Sequence, residues 1–317
     1  MRAIVVEEFG GPEVLKLGEA PEPESKNGLV KVEVSSAGIN YADTHQVENS
    51  YHAPPKLPLI PGAEVVGTMP DGQRVVALLP AGGGYAERAL VSPAMSVPIP
   101  DGVEDGQALA IVLQGLTAWY LLRSSAQMQP GDSVVVHAAA GGVGTLAVQL
   151  AKRWGAGRVV ASASSEEKRK LALELGADAA IDSTADDLRA QIEEAAGGPV
   201  DIVLEMVGGR TFTESYDALA PFGRLVSYGM ASRQIPEPID VLRLNRETRG
   251  VLGFWLASCF RSPEAFGEPA RELLDMVASG ELRAIVGGTY PLGEARRAHE
   301  DLRERRTVGK LVLDPRS

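Results

Sequence analysis

Cysteine is almost missing from this chain: Cys259 is the only one in 317 residues. An internal disulfide and a cysteine-based metal cluster are therefore excluded, and a lone thiol is expected to be buried and inert. Histidine is also scarce. His45, His52, His137 and His299 are scattered with no ligand spacing, whereas a zinc site needs three or four donors in reach. No apolar run attains the roughly 18 residues that span a bilayer. The opening MRAIVVEEFGGPEV carries Glu7 and Glu8 and no signal-peptide core, so a cytoplasmic protein is expected. Positive charge is in deficit. A net charge of −11 and a pI near 5.0 argue against recognition of nucleic acid through its phosphates. No internal repeat or low-complexity segment is present.

The length allows two domains, and the grammar of the chain changes accordingly. From Arg2 to about Val97, short β-rich stretches such as AIVVEE, LVKVEVSSAGIN and GQRVVALLP are separated by FGGPE, APEPESKNG and HAPPKLPLIPG, which are turn and loop punctuation. DGQALAIVLQGLTAWYLLRSSAQ then has helical spacing and ends at PGD. From Ser133, apolar strands at SVVVHA, RVVASA, AAID, DIVLEMV, GRLVSYG and GVLGFWL appear. Helices are expected between the first five, at about 143–155, 165–175, 185–196 and 211–219. Such alternation predicts an α/β, doubly wound parallel sheet covered on both faces. After Cys259 it stops, and two amphipathic helices flank the strands AIVGGTY and GKLVLD. The run from Arg303 to Arg306 reads as a solvated helix face. The simplest assembly folds this tail back on the N-terminal β-rich domain and leaves the parallel-sheet domain as an insertion. The expected parts are residues 1–118, 119–256 and 257–317.

The strand-to-helix turn Ala139-Ala140-Gly141-Gly142-Val143-Gly144 stands in the context that a dinucleotide fingerprint requires. Gly141 and Gly142 let backbone N–H groups approach a pyrophosphate, Gly144 lets the helix lie close to the sheet, and the helix N-terminus faces the anion. Ala139 replaces the first glycine of G-x-G-x-x-G, so the motif is a variant. An NAD site places an acid about 20 residues on, at the end of the second strand. That end reads Ala161-Ser162-Ala163-Ser164-Ser165, followed by Lys168, Arg169 and Lys170. Hydroxyls plus a cation suit the 2′-phosphate of NADPH. Two alternatives stay open: Ser164 and Glu167 form a capping-box pattern that needs no ligand, and Glu166 lies where it can serve a ribose.

AGINYADTH, PGAEVVG, GLTAWYLL, HAAAGGVG and GKLVLD occur in this order along nearly the whole chain. With them the chain resembles the zinc-independent quinone oxidoreductase (zeta-crystallin-like) branch of the medium-chain dehydrogenase/reductase superfamily. The resemblance implies a Rossmann domain inserted into a GroES-like catalytic domain, and NADPH as cofactor. In zinc-dependent cousins a cysteine ligand stands where this chain has Asn40 and a histidine where it has Ala63; the cysteine-rich structural zinc lobe has no counterpart. The same resemblance places Asn40, Tyr51 and Thr117 at the nicotinamide end, with His45 where many relatives carry tyrosine. It gives Gly142 and Val143 to the pyrophosphate and Ser164 and Lys168 to the 2′-phosphate. Ser183 falls where some relatives place a tyrosine near the adenine ribose. Val207, Gly208, Tyr228, Gly229, Phe254 and Leu256 would wall the nicotinamide pocket. Packing alone is the competing role for Tyr51, Phe254 and Leu256, and the favoured role for Trp119 and Tyr120.

The missing metal bears on the substrate. Hydride addition to an isolated ketone leaves a localised alkoxide that a Lewis acid stabilises. Addition to a quinone, or to the β-carbon of an enone, leaves a delocalised anion that a few oriented hydrogen bonds can hold. The expected activity is therefore NADPH-dependent, metal-independent reduction of a small quinone or α,β-unsaturated carbonyl, with solvent or a hydroxyl such as Tyr51 returning the proton. The alternatives are an enoyl-thioester reductase of a lipid or polyketide pathway and a non-catalytic, crystallin-like NADPH-binding protein. The stretch VLGFWLASCF suggests an edge strand that pairs across a twofold axis, hence a homodimer with no nucleic-acid or membrane partner.

Overall fold

Val134, Val135 and Val136 are buried with no exposed surface, at the centre of the strand Ser133–His137. A strand buried on both faces belongs inside a parallel sheet, and that is its position. In a computed structural model that describes residues 1–317, it pairs in parallel with Arg158–Ala163 on one side and Val200–Glu205 on the other. Ala179–Asp182 lies outside the former, and Leu219–Ser227 and then Gly250–Gly253 outside the latter. Taken in chain order these six strands run 3-2-1-4-5-6 across the sheet, the doubly wound dinucleotide order with its reversal beside the first strand. Helices Gly142–Arg153, Glu166–Glu174, Leu188–Ala196 and Gly209–Asp217 connect them. Val160, Ile181, Ile192, Val203, Phe212 and Leu225 share one apolar cluster between strands and helices.

The sixth strand is shorter than GVLGFWL suggested. It stops at Gly253, although the Phe254 N–H still donates to the Ser227 carbonyl at 2.9 Å, and Leu256–Ser258 forms a 3-10 turn. Glycine at both ends of the ladder leaves little side chain to pack there. Leu252 and Trp255 stand exposed on this edge.

The chain divides into two units, Thr117–Ser258 and the remainder, Met1–Leu116 with Cys259–Ser317. These breaks fall two residues from the positions 118 and 256 named above. In the second of these units a seven-stranded sheet is organised about the ten-residue strand Val30–Ile39. Its first half pairs with Arg88–Val91 and its second with Glu64–Thr68 and Lys310–Asp314, all antiparallel. Leu311 lies opposite Ile39, so the tail of the chain supplies an interior strand to the sheet that the first hundred residues build. Val32, Val34, Val65, Tyr85, Leu311 and Leu313 form the core beneath it.

Four local expectations need correction. The stretch after Ile39 is helical, Tyr41–Val47, and begins where the Asp43 carboxylate accepts from the Asn40 N–H at 2.8 Å. The helical run Asp105–Ser125 contains two π-helical turns, Ile111–Gly115 and Leu121–Ser125. Cys259 is half-buried rather than buried, with burial still pushing its thiol above the ordinary value. The basic run is also less of a helix face than its pattern suggests. The last helix closes at Arg303, which pairs with Glu48, while Arg306 pairs with Asp301.

Candidate active site

The glycine turn follows the first strand of the parallel sheet. Gly141 is the N-cap of helix Gly142–Arg153 and supplies no side chain to cap it. The first N–H groups of a helix have no partner inside it, and here nothing from the cap residue takes them. Gly144 is fixed by contact: a Cβ there would lie 2.3 Å from the Ala138 carbonyl oxygen and 2.6 Å from Ala139 Cα. Both are backbone atoms, so any larger residue pushes the helix off the strand. The strained position is Ala138, at φ +50°, the left-handed region that costs an L-residue roughly 1–2 kcal/mol. The result is an uncapped twelve-residue helix presenting donors and the positive end of its dipole beside the sheet's carboxyl edge.

Most sequence-predicted residues of this unit follow strand ends at the same edge. Ser164 lies just past the second strand, and Ser183 past the third, its N–H bonded to the Ala163 carbonyl at 3.2 Å. The capping-box pattern misplaced the cap: Ser165, not Ser164, accepts from the Lys168 N–H at 3.3 Å. Ser164 stands one residue before the helix cap. Of the basic trio, Arg169 is committed to protein, donating to the Ala163 carbonyl at 3.2 Å and pairing with Asp182 at 3.1 Å. Lys168 is half-buried and Glu166 exposed in the first helical turn.

The fourth strand ends in a residue that sequence reasoning missed. Glu205 is fully buried, and its Oε1 accepts from the Val207 N–H at 2.6 Å and the Gly208 N–H at 2.8 Å. Its Oε2 has no hydrogen-bond partner. Burial pushes its carboxyl up to about 6, against the pull of those two N–H donors. The Tyr228 N–H donates to the Glu205 carbonyl at 2.9 Å, and Gly229 lies against Met206. Burial, with Glu205 nearby, raises the Tyr228 phenol. The structure thus gathers Val207, Gly208, Tyr228 and Gly229 around the end of this strand, at Glu205 and Met206. Phe254 follows the sixth strand and Leu256 the turn after it, both half-buried rather than core. Thr117 is buried on the helix Leu116–Tyr120. The rings of Trp119 and Tyr120 on that helix meet edge-on with centroids 4.9 Å apart.

In the other unit, Asn40 is the hub of a buried polar cluster. Its Nδ2 donates to Glu64 Oε1 at 2.7 Å, and its Oδ1 accepts from Lys310 Nζ at 3.0 Å and Gln114 Nε2 at 3.1 Å. Lys310 also donates to the Ile39 carbonyl at 3.2 Å and forms an ion pair with Glu64. Glu64 and Lys310 have no exposed surface, and Asn40 and Gln114 almost none. Gly38 makes the room: a Cβ there would lie 2.3 Å from Glu64 Oε1. On the backbone side of Asn40, Asp43 Oδ2 also accepts from the Tyr85 hydroxyl at 2.9 Å, and that hydroxyl lies 3.1 Å from His299 Nε2. Burial pushes the Asp43 carboxyl up to about 7 and the His299 imidazole down to about 3. His45, whose role the sequence left undecided, has its Nδ1 2.9 Å from Ser50 Oγ, which ties helix Tyr41–Val47 to the loop carrying Tyr51. Tyr51 itself is half-buried and packs near His52, with ring centroids 5.6 Å apart.

Sequence reasoning found Asn40 but not Glu64, Gln114 or Lys310. Glu64 and Lys310 lay inside the quoted strings PGAE and GKLVLD, yet nothing local marks them as partners 246 positions apart. The one histidine inside a strand, His137, is buried with its Nε2 2.7 Å from Ser215 Oγ, and burial lowers it to about 4. No group of three or more His, Cys, Asp or Glu side chains comes together to hold a metal ion.

Residues 26–101 match the alcohol dehydrogenase GroES-like domain and residues 142–278 the zinc-binding dehydrogenase domain. A quinone oxidoreductase of Pseudomonas aeruginosa is 34% identical over 97% of this chain and 97% of its own length. The chain belongs to the zeta-crystallin-like quinone oxidoreductase branch of the medium-chain dehydrogenase/reductase superfamily. A 2-haloacrylate reductase from a Burkholderia species is 31% identical over 99% of this chain and 99% of its own length. Among solved structures, the quinone oxidoreductase of Thermus thermophilus, studied also in complex with NADPH, superposes with a TM-score of 0.88 and 41% identity. That match covers 99% of this chain and 100% of the other. Within this family the GroES-like and Rossmann-type folds are those observed here, and the chain is an oxidoreductase.

Proposed function

We propose that this protein is an NADPH-dependent reductase that delivers hydride to a quinone or to the β-carbon of an α,β-unsaturated carbonyl without a metal ion. The observation that carries the reading is the surroundings of Asn40. Where zinc-dependent cousins have a cysteine ligand, this chain has a carboxamide already held between an ammonium group and a carboxylate. A protein cation thus occupies the polar centre, and Glu64 is neutralised by it rather than left to draw a metal.

The uncapped helix N-terminus after Gly141 and the contact-limited Gly144 suit a pyrophosphate. In this reading the N–H groups of Gly142, Val143 and Gly144 hold it. Ser164 and Lys168 take the 2′-phosphate, and Ser183 lies by the adenine ribose. Val207, Gly208, Tyr228, Gly229, Phe254 and Leu256 wall the nicotinamide, with Asn40, Tyr51 and Thr117 at its reacting end. When bound, NADPH supplies the hydride. In this reading residues 1–118 with 257–317 act as the catalytic domain and 119–256 as the nucleotide domain. The protein's task is to align the acceptor with the donor carbon and keep water out. The negative charge left on a conjugated acceptor is spread over several atoms, so an oriented N–H or O–H donor is sufficient. Tyr51 or water returns the proton. The similarity to a 2-haloacrylate reductase supports a conjugated acceptor rather than a plain ketone. The exposed edge strand with Leu252 and Trp255 favours a homodimer paired through that edge, and a monomer by light scattering at micromolar concentration would contradict it.

The test is an acceptor panel in which NADPH and NADH oxidation are followed with a naphthoquinone, a simple enone, a crotonyl thioester and a plain ketone. NADPH-linked turnover of the first two is expected. Preference for the thioester would move the protein to enoyl reduction, and tight NADPH binding without turnover of any acceptor would make it non-catalytic.

A further inference from the structure

The bonding capacity of the Asn40 carboxamide can be counted. Its Oδ1 accepts two hydrogen bonds, and both places are filled, by Lys310 Nζ at 3.0 Å and Gln114 Nε2 at 3.1 Å. Its Nδ2 has two protons, and one goes to Glu64 Oε1 at 2.7 Å. A single N–H remains. The orientation is enforced by full charges on either side: turning the amide over would set its N–H against the Lys310 ammonium and its oxygen against the Glu64 carboxylate. Lys310 is itself saturated, because Ile39 O, Asn40 Oδ1 and Glu64 Oε1 take its three protons. Glu64 Oε1 is likewise filled by Asn40 and Lys310. All three groups are locked by partners on different strands and helices.

We infer that Lys310 and Glu64, with Gln114, are positioning residues that fix Asn40 as a hydrogen-bond donor with one N–H to offer, matched to an oxygen that gains negative charge. The inference rests on the proposed placement of Asn40 at the reacting end, and it deepens that reading by giving this end a polarity. The acceptor class it favours carries a carbonyl oxygen that becomes anionic as hydride arrives, as in a quinone or enone. A preorganised donor of this kind acts mainly on the transition state, and losing one costs roughly 100- to 1000-fold in kcat. Losing only its orientation should cost less, because a freely turning amide still presents an N–H part of the time.

The test is a double-mutant cycle on the full-length protein with NADPH and a quinone. One arm is Asn40→Ala. The other is the paired change Lys310→Met with Glu64→Gln, which removes both charges at nearly constant volume and leaves no buried charge alone. The paired change should lower kcat roughly tenfold or more, leave NADPH affinity within about twofold, and cause no further loss when Asn40 is already alanine. Gln114→Leu removes one donor to Oδ1 without touching a charge, and should lower kcat several-fold in the Asn40 background only. It stands in should the paired change not fold. Equal factors of loss in both backgrounds, or an unchanged kcat in folded protein, would overturn the positioning role. If Asn40→Ala alone leaves both kcat and the acceptor KM unchanged, the placement of Asn40 at the reacting end fails first, and the inference falls with it.

Discussion

Through a single methyl group, Gly144→Ala perturbs the glycine turn proposed to bind the nucleotide. The added Cβ would sit 2.3 Å from Ala138 O, 2.6 Å from Ala139 Cα and 2.8 Å from Ala139 C. Ordinary carbon contacts are about 3.5–4.0 Å, so the first turn of helix Gly142–Arg153 must withdraw by about 1 Å. Overpacking of this kind costs typically about 1–3 kcal/mol, offset by up to about 1 kcal/mol because alanine is the better helix former. A net loss of about 1–2 kcal/mol in stability follows. On the proposed assignment the larger effect is on the ligand, since the displaced turn carries the N–H groups that this assignment gives to the pyrophosphate. A hydrogen bond to a charged group contributes about 1.5–3 kcal/mol, so losing one weakens NADPH binding by roughly 10- to 100-fold. Gly141→Ala is the control: its Cβ would meet only the Ala138 oxygen, at 3.2 Å, and the stability loss should be clearly smaller. NADPH titration by fluorescence or calorimetry, with thermal unfolding in parallel, measures both terms. A Gly144→Ala protein that binds NADPH as tightly as the parent would refute the assignment of this turn to the pyrophosphate.

Three further outcomes are expected. Burial raises the Asp43 carboxyl from its ordinary 3.8 to about 7, so the folded state favours the protonated form. Its contribution to stability is full below about pH 4, declines as pH rises toward 7, and is absent above that. Asp43→Asn keeps an acceptor for Asn40 and Tyr85 without the charge, and should gain on the order of 2–4 kcal/mol over the parent at pH 8. That gap should narrow toward pH 5 in paired thermal melts, and a gap independent of pH would contradict the titration. Ser165→Ala removes the helix cap and should cost about 1 kcal/mol in stability with no change in cofactor preference. Ser164→Ala should do the reverse, weakening NADPH relative to NADH by roughly tenfold, the loss of one bond to a charged group. Glu205→Ala leaves the Val207 and Gly208 N–H groups without their acceptor and should cost about 2–4 kcal/mol in urea unfolding, whereas Glu205→Gln, which keeps a carbonyl oxygen there, should cost markedly less.

The parallel sheet was legible because valine-rich strands buried on both faces leave an unbroken apolar signal, as at Val134–Val136. The turn at Gly141–Gly144 was legible because its glycines answer a local contact, the approach of a helix to the Ala138 carbonyl. Less legible were features decided by one residue of register or by distant partners. Ser164 and Ser165 are equally good caps by type, and only the backbone path puts Ser165 at the helix start. Phe254 and Leu256 extend the apolar run of the sixth strand but follow Gly253, where the ladder ends. The helix Tyr41–Val47 lies in a segment otherwise written as strands and turns, and its start depends on Asp43 reaching back to Asn40. Least legible was the cluster around Asn40. Its members come from a strand end, a neighbouring strand, a π-helical turn and the last strand of the chain. A buried lysine is costly unless paired, but the pairing exists only once the tail strand enters the sheet.

The central claim is that conjugation in the acceptor replaces Lewis-acid assistance. Its most direct measurement is kcat/KM for a quinone and for a saturated aldehyde, with NADPH, before and after exhaustive dialysis against a strong chelator. The account predicts quinone turnover that is unchanged by chelation and exceeds aldehyde turnover by orders of magnitude. Quinone reduction that collapses on chelation and returns with added zinc would contradict it, as would an aldehyde rate equal to the quinone rate.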